Sequence, residues 1–279
     1  MKRRIVFALA FILSTTTFAG GGWTQKKGNG FFSLSQRMIA GTYYANSQGV
    51  ITQSPLLTAF TTNLYAEYGI TDNLTGIFYS PFATALGREA GTDSLGNAFT
   101  ADNAFGFGDM DFGAKYKVLD SKVKIAVSVI LGVPSGNYNA GTTGTLHLGD
   151  GEFNQLGMVD FSGSFGKGFF GTAFVGFNNR TNGFSDEIHV GGELGWQKNK
   201  FTTILKVYAR NSLFNEVRKD SPIPGIYSDN LEYIAISPYF MYKLTDKWGV
   251  SAEAGFATFA RNIIASPSIS LGVFFDLKR

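Results

Sequence analysis

Apolar and polar residues alternate one for one along most of this chain, most clearly between Met110 and Val133. Met110, Phe112, Ala114, Tyr116 and Val118 fall on one parity, and Asp109, Asp111, Lys115 and Lys117 on the other. After a break at Leu119-Asp120-Ser121 the apolar set resumes as Val123, Ile125, Val127, Val129, Leu131 and Val133. Successive side chains of a strand point to opposite faces, so each such run is a strand with one oily side and one wet side.

Read in this way, the sequence predicts twelve strands, over 30–44, 57–70, 74–82, 107–118, 122–133, 153–165, 169–177, 186–197, 201–210, 231–244, 248–260 and 266–277. Five connections are short and made of turn formers: Thr71-Asp72-Asn73, Leu119-Asp120-Ser121, Gly166-Lys167-Gly168, Lys198-Asn199-Lys200 and Thr245-Asp246-Lys247. They alternate with six loops, most of them long. Outer-membrane barrels are threaded in this manner, with short turns on the periplasmic side and longer loops outside. The predicted fold class is therefore all-β, a transmembrane up-and-down antiparallel β-barrel of twelve strands. A ten-strand barrel is the alternative, because 74–82 and 153–165 carry apolar residues on both parities, and Pro81 and Pro238 bring no ladder donor.

Aromatic residues gather beside the short turns. Tyr68, Tyr116, Trp196, Tyr242 and Trp248, with Phe165, Phe169 and Phe201, lie on the apolar parity within a few residues of a turn. Amphipathic rings favour the headgroup level of a bilayer, so these residues are expected to form an interfacial girdle.

Composition changes the picture at the N-terminus. Lys2, Arg3 and Arg4 precede an apolar run from Ile5 to Leu13 and then Thr17-Phe18-Ala19, the form of a secretory signal peptide cut after Ala19. The apolar run is too short for a spanning helix, which needs ~20 residues. The expected organisation is residues 1–19 as signal, 20–29 as a glycine-rich periplasmic leader or plug, and 30–279 as barrel. Residues 1–19 hold three of the 24 basic residues and none of the 21 acidic ones, so 21 of each remain in the mature chain. That balance gives no electrostatic warrant for a nucleic-acid partner. The chain has no cysteine, hence neither disulfides nor a lipoprotein anchor.

The run Gly106-Phe107-Gly108-Asp109-Met110-Asp111-Phe112-Gly113-Ala114-Lys115-Tyr116, followed by Gly132-Val133-Pro134-Ser135-Gly136 and Gly149-Asp150-Gly151, resembles the outer-membrane barrel family named for the meta-pathway of phenol degradation. The resemblance implies a channel for aromatic or other poorly soluble small molecules. It implies partners in outer-membrane lipid, a small-molecule solute and the barrel-assembly machinery, and it carries no catalytic residues.

If the apolar parity meets lipid, the other parity lines the lumen. That places Arg37, Glu67, Asp111, Lys115, Asp160, Glu187, His189, Glu193, Lys206, Arg210, Tyr239, Lys243 and Glu253 inside. Folding 186–197 against 201–210 about Asn199 sets Glu193 opposite Lys206 and His189 opposite Arg210. Such a rung reads either as a polar lining of a conduit or as structural pairing that fills a narrow barrel. Asp109 and Asp111 share a parity with Lys115 and Lys117, so charge pairing is expected there in place of metal ligation. Gly149-Asp150-Gly151-Glu152 lacks the ligand number calcium needs and reads as a glycine-rich turn. His147 and His189 lie away from any lipid-facing surface where a barrel hydrolase would cut, so no enzyme activity, metal or cofactor is expected. The expected function is passive admission of small, hydrophobic or aromatic molecules. The alternative is a non-transporting structural or adhesive barrel.

Overall fold

The computed structural model describes residues 21–93, 96–216 and 227–278; the segment read as a signal peptide lies outside them. In chain order the strands are β1 (Gly30–Ala45), β2 (Ile51–Gly69), β3 (Leu74–Arg88), β4 (Gly91–Thr92), β5 (Ala98–Phe99), β6 (Asp102–Gly106), β7 (Met110–Asp120), β8 (Val123–Val133), β9 (Asn154–Gly166), β10 (Phe169–Arg180), β11 (Glu187–Lys198), β12 (Phe201–Ser212), β13 (Glu232–Lys243), β14 (Trp248–Arg261), β15 (Ile263–Ile264) and β16 (Ser268–Leu277). β1, β2, β3, β7 to β14 and β16 pair antiparallel in sequence order. β16 then closes on β1, from Gly30 opposite Leu277 to Ile39 opposite Ser268. The result is a closed barrel of twelve strands, so the ten-strand alternative falls. Closure leaves no edge with unpaired backbone groups, which is what a sheet immersed in hydrocarbon requires.

Burial is inverted relative to a water-soluble protein. Val129, Leu194 and Leu271 are 56%, 57% and 63% exposed, whereas Glu67, Lys115 and Glu187 are 1%, 2% and 0% exposed. A band of apolar side chains this continuous is stable only against lipid, and the polar parity is turned inward. The protein is a membrane-spanning β-barrel.

Three features depart from the pattern read in the sequence. β2 begins at Ile51 and not at 57, and β3 runs to Arg88 and not to 82. Residues 83–106 are accordingly not an open loop, because β6 pairs with β3 from Arg88↔Asp102 to Thr84↔Gly106. These extensions rise beyond the lipid band, where nothing enforces strict alternation. The β7–β8 hairpin also turns at Ser121-Lys122, after a register shift between Lys117 and Leu119.

The two prolines sit where the ladder lapses. β3 pairs with β7 up to Tyr79 and with β6 from Thr84, and between them Pro81 contributes only its carbonyl, which accepts from Gly108 N at 2.8 Å. Pro238 faces Leu205 of β12, while on its other side the pairing with β14 skips from Ile236 to Tyr239. Each site loses a donor that proline lacks anyway.

Gly166, Lys167 and Gly168 form the turn between β9 and β10 with φ of 82°, 53° and 85°. Two of these three left-handed positions are glycines, which adopt them without a Cβ penalty.

Gly21 to Asn29 do not hang free of the barrel. Gly22 N donates to Ser162 Oγ of β9 at 2.7 Å, and Trp23 packs edge-on against Phe170 of β10 at 5.9 Å. Gln25 reaches the far wall, its N–H donating to Thr75 Oγ1 at 2.9 Å and its Nε2 to Glu67 Oε2 at 3.0 Å. A Cβ on Gly22 would lie 2.5 Å from the Lys124 carbonyl oxygen, so only glycine passes there. The segment crosses the interior near the turn end, from β9 and β10 to β2 and β3.

Candidate functional site

The inward parity divides into two layers. Near the turn end, β2 brings Glu67 beside Lys115 of β7 at 3.3 Å, and Tyr65 Oη donates to the same carboxylate at 2.8 Å. Ser128 of β8 donates to Asp160 of β9 at 2.7 Å. Lys206 of β12 pairs with Glu253 of β14 at 3.1 Å and lies 3.9 Å from the centre of the Tyr239 ring. The register does set Glu193 opposite Lys206, yet the lysine bonds to Glu253 two strands away. Pairing across the interior wins over pairing along the ladder, because the curved wall turns inward side chains toward one another.

Toward the loop end, Glu187 is the hub. Its carboxylate accepts from Arg180 Nη1 at 2.9 Å, Arg210 Nη2 at 2.7 Å, Asn178 Nδ2 at 3.3 Å and His189 Nε2 at 2.9 Å. Tyr208 Oη is hydrogen-bonded to His189 Nδ1 at 2.9 Å. Arg180 further contacts Glu152, and Asp150 at 3.3 Å. Beside this network lies a cavity of about 130 Å³. Arg37, Asp111, His189 and Arg210 border it, together with Tyr79, Tyr208, Tyr227, Ile130, Leu156 and Leu231.

Some expected contacts are absent. Lys115 pairs with Glu67 and Lys117 with Asp120, so neither neutralises Asp109 or Asp111. Asp109 instead accepts the backbone N–H groups of Gly136 and Asp150, both at 2.8 Å, and anchors loop 134–152. The segment read as a glycine-rich turn, 149–152, supplies Asp150 and Glu152 to the Arg180 network. Arg180 and Asn178 were not among the expected residues, because Asn178-Asn179-Arg180 looks like a loop start. The available signal was parity, since both continue the inward set of β10. Among the described residues no group of acidic and histidine side chains is arranged to hold a metal ion.

The outer surface near the turns carries exposed Tyr68, Tyr116, Tyr242 and Trp248, with Trp196 partly exposed. Trp196 stands opposite Phe169, and Tyr242 opposite Phe201.

With this geometry in place, residues 40–272 match the family described as "Putative MetA-pathway of phenol degradation". The chain belongs to this family. Curated proteins gave no sequence match. Among solved structures, an outer membrane channel from Pseudomonas putida F1 superposes with a TM-score of 0.63 at 15% identity, covering 91% of this chain and 97% of that one. The NanC porin superposes at 0.52 and 12% identity over 88% of this chain and 100% of its own, and the KdgM porin at 0.50 and 9% over 88% and 99%. At such identities the likeness is one of fold. Within it, the family member described here has a polar interior that is packed at the turn end and hollow toward the loops.

Proposed function

We propose that the barrel passively admits small, apolar or aromatic molecules through the outer membrane. The observation that carries this reading is the cavity of about 130 Å³ bordered by three tyrosine rings and by Ile130, Leu156 and Leu231. Its size is of the order of the ~150 Å³ cavity that holds a benzene ring. Family membership and the likeness to an outer membrane channel support it. In this reading Arg37, Asp111, Glu187, His189 and Arg210 line the path toward the loops, and Lys115, Asp160, Glu193, Lys206, Tyr239 and Glu253 line it toward the turns. Gly21–Asn29 act as a plug that narrows the periplasmic end, residues 1–19 direct export, and the exposed tyrosines and tryptophans beside the turns mark the periplasmic lipid interface.

One observation favours the second reading, a structural or adhesive barrel: the turn-end layer is filled by ion pairs and crossed by the N-terminal segment. Liposomes containing the purified protein, with and without residues 21–29, separate the two. The channel reading expects faster entry of a small aromatic probe than into empty liposomes, and larger ionic conductance from the truncated chain. If neither form conducts or speeds entry, the structural reading stands.

A further inference from the structure

The turn-end layer carries four carboxylates, Glu67, Asp160, Glu193 and Glu253, against two lysines, Lys115 and Lys206. Each lysine is bonded to one acid, Lys115 to Glu67 and Lys206 to Glu253, and Asp160 accepts from the Ser128 hydroxyl. Glu67 is saturated further by Tyr65 and Gln25. Glu193 differs from the other three. Its register partner Lys206 is engaged elsewhere, and its side chain is only partly buried. Gly21–Asn29 cross the interior near the same end, from Ser162 of β9 to Glu67 of β2, so the lumen is narrow there.

From these observations we infer that the barrel's ion path prefers cations and that Glu193 is the residue that sets this preference. Glu67 and Glu253 present little net charge to a passing ion, because their lysines sit within hydrogen-bond distance, and Asp160, which has no lysine of its own, is buried at 4% exposure and turned onto the Ser128 hydroxyl. The Glu193 charge is matched by no lysine of its own, and in a narrow low-dielectric passage it is poorly screened. A fixed charge of one sign at a constriction attracts ions of the other sign and repels its own kind, which is how charged rings select in channels. The inference rests on the reading that the barrel conducts, and not on which hydrophobic solute it admits.

The test is the reversal potential of the purified full-length protein in planar bilayers under a potassium chloride gradient. Wild type is expected to favour potassium over chloride. One charge several ångströms from a passing ion acts with opposite sign on cation and anion, so Glu193→Gln should lower the permeability ratio by about tenfold, and Glu193→Lys should drive it below one. Asp276→Asn, which removes an acid paired with Lys243 at the rim, is the control and should leave the ratio nearly unchanged. Heat-dependent gel mobility checks that every variant is a folded barrel. A wild type that favours chloride, or a ratio unmoved by Glu193→Gln, overturns the inference. Absence of current with aromatic-probe entry retained overturns it while sparing the proposed function, and absence of both removes the two together.

Discussion

In the turn-end half of the barrel the buried charges are settled in separate pairs, Lys115 with Glu67 and Lys206 with Glu253, while Asp160 bonds to Ser128 and Glu193 remains as a spare acid opposite Lys206. In the loop-end half they converge: Arg180, Arg210 and His189 all bond to Glu187, which is wholly buried. The strands and their alternation are the same in both halves. What differs is redundancy. A distributed layer tolerates the loss of one partner because another is in reach, and it fills space evenly. A convergent hub concentrates charge on one wall and leaves room beside itself, which is where the cavity lies.

Replacing each hub acid tests that contrast most severely. Glu187→Ala strands the Arg210 guanidinium in a buried site, while Arg180 keeps Glu152 and Asp150, and should cost about 3–5 kcal/mol, the usual penalty for removing one partner of a buried ion pair. Glu253→Ala should cost markedly less, since Lys206 can turn to Glu193, its register partner. Denaturant unfolding of the two variants in the same detergent gives the comparison. Equal losses would mean that the two halves do not differ in redundancy.

The next effect comes from the surface that both halves share. Val127 stands mid-strand on the outer face and is 41% exposed. Val127→Arg places a guanidinium near the bilayer midplane and should destabilise folding into lipid by about 2–4 kcal/mol. The same variant in the absence of a bilayer, in short-chain detergent, should lose much less. A loss independent of the surrounding medium would break the assignment of this face to lipid.

Most of the frame was legible in the sequence where lipid imposes it. β7 and β8 lie within three residues of their predicted bounds, because a strand with lipid on one side must keep its apolar parity over the full span. Legibility fails above the lipid. Thr52, Gln53, Ser54 and Pro55 continue β2 without any apolar alternation, and Ala83 to Arg88 continue β3 into the pairing with β6. For the site, parity sufficed to say which side chains turn inward but not which of them meet. Lys206 and Glu253 are 47 residues apart, and their contact follows from curvature that no local pattern encodes. The path of Gly21 to Asn29 was illegible for another reason. Its contacts run from backbone N–H groups and from Gln25 to side chains far along the chain, and they leave no periodicity.

The smallest effect concerns the rim, where Asp102 of β6 holds the tip of loop 134–152. Asp102 accepts the backbone N–H groups of Thr142 at 2.8 Å and Thr143 at 3.0 Å, and the hydroxyls of both residues. Burial works against its charge, but the hydrogen bonds from Thr143 and Thr142 outweigh that and hold the Asp102 carboxyl well below its ordinary range. An acid whose folded pKa is depressed contributes stability that is fully present above its unfolded value, about 4, and is lost as the pH falls below that. Docking of the loop should therefore be unchanged between pH 5 and 8 and should weaken only under stronger acid. Asp102→Ala should bring the weakened state to neutral pH, at a cost of about 1–3 kcal/mol for the unpaired donors. Amide exchange at Thr142 and Thr143 reads both. Faster exchange in the variant at pH 7, with the Glu187 network and the cavity-side strands still protected, would show that the rim and the hub are separate units. Loss of protection in both would mean that the tip anchor also supports the Arg180 contacts of Asp150 and Glu152 lower in the same loop, and the loop-end half would then be one convergent structure from hub to rim.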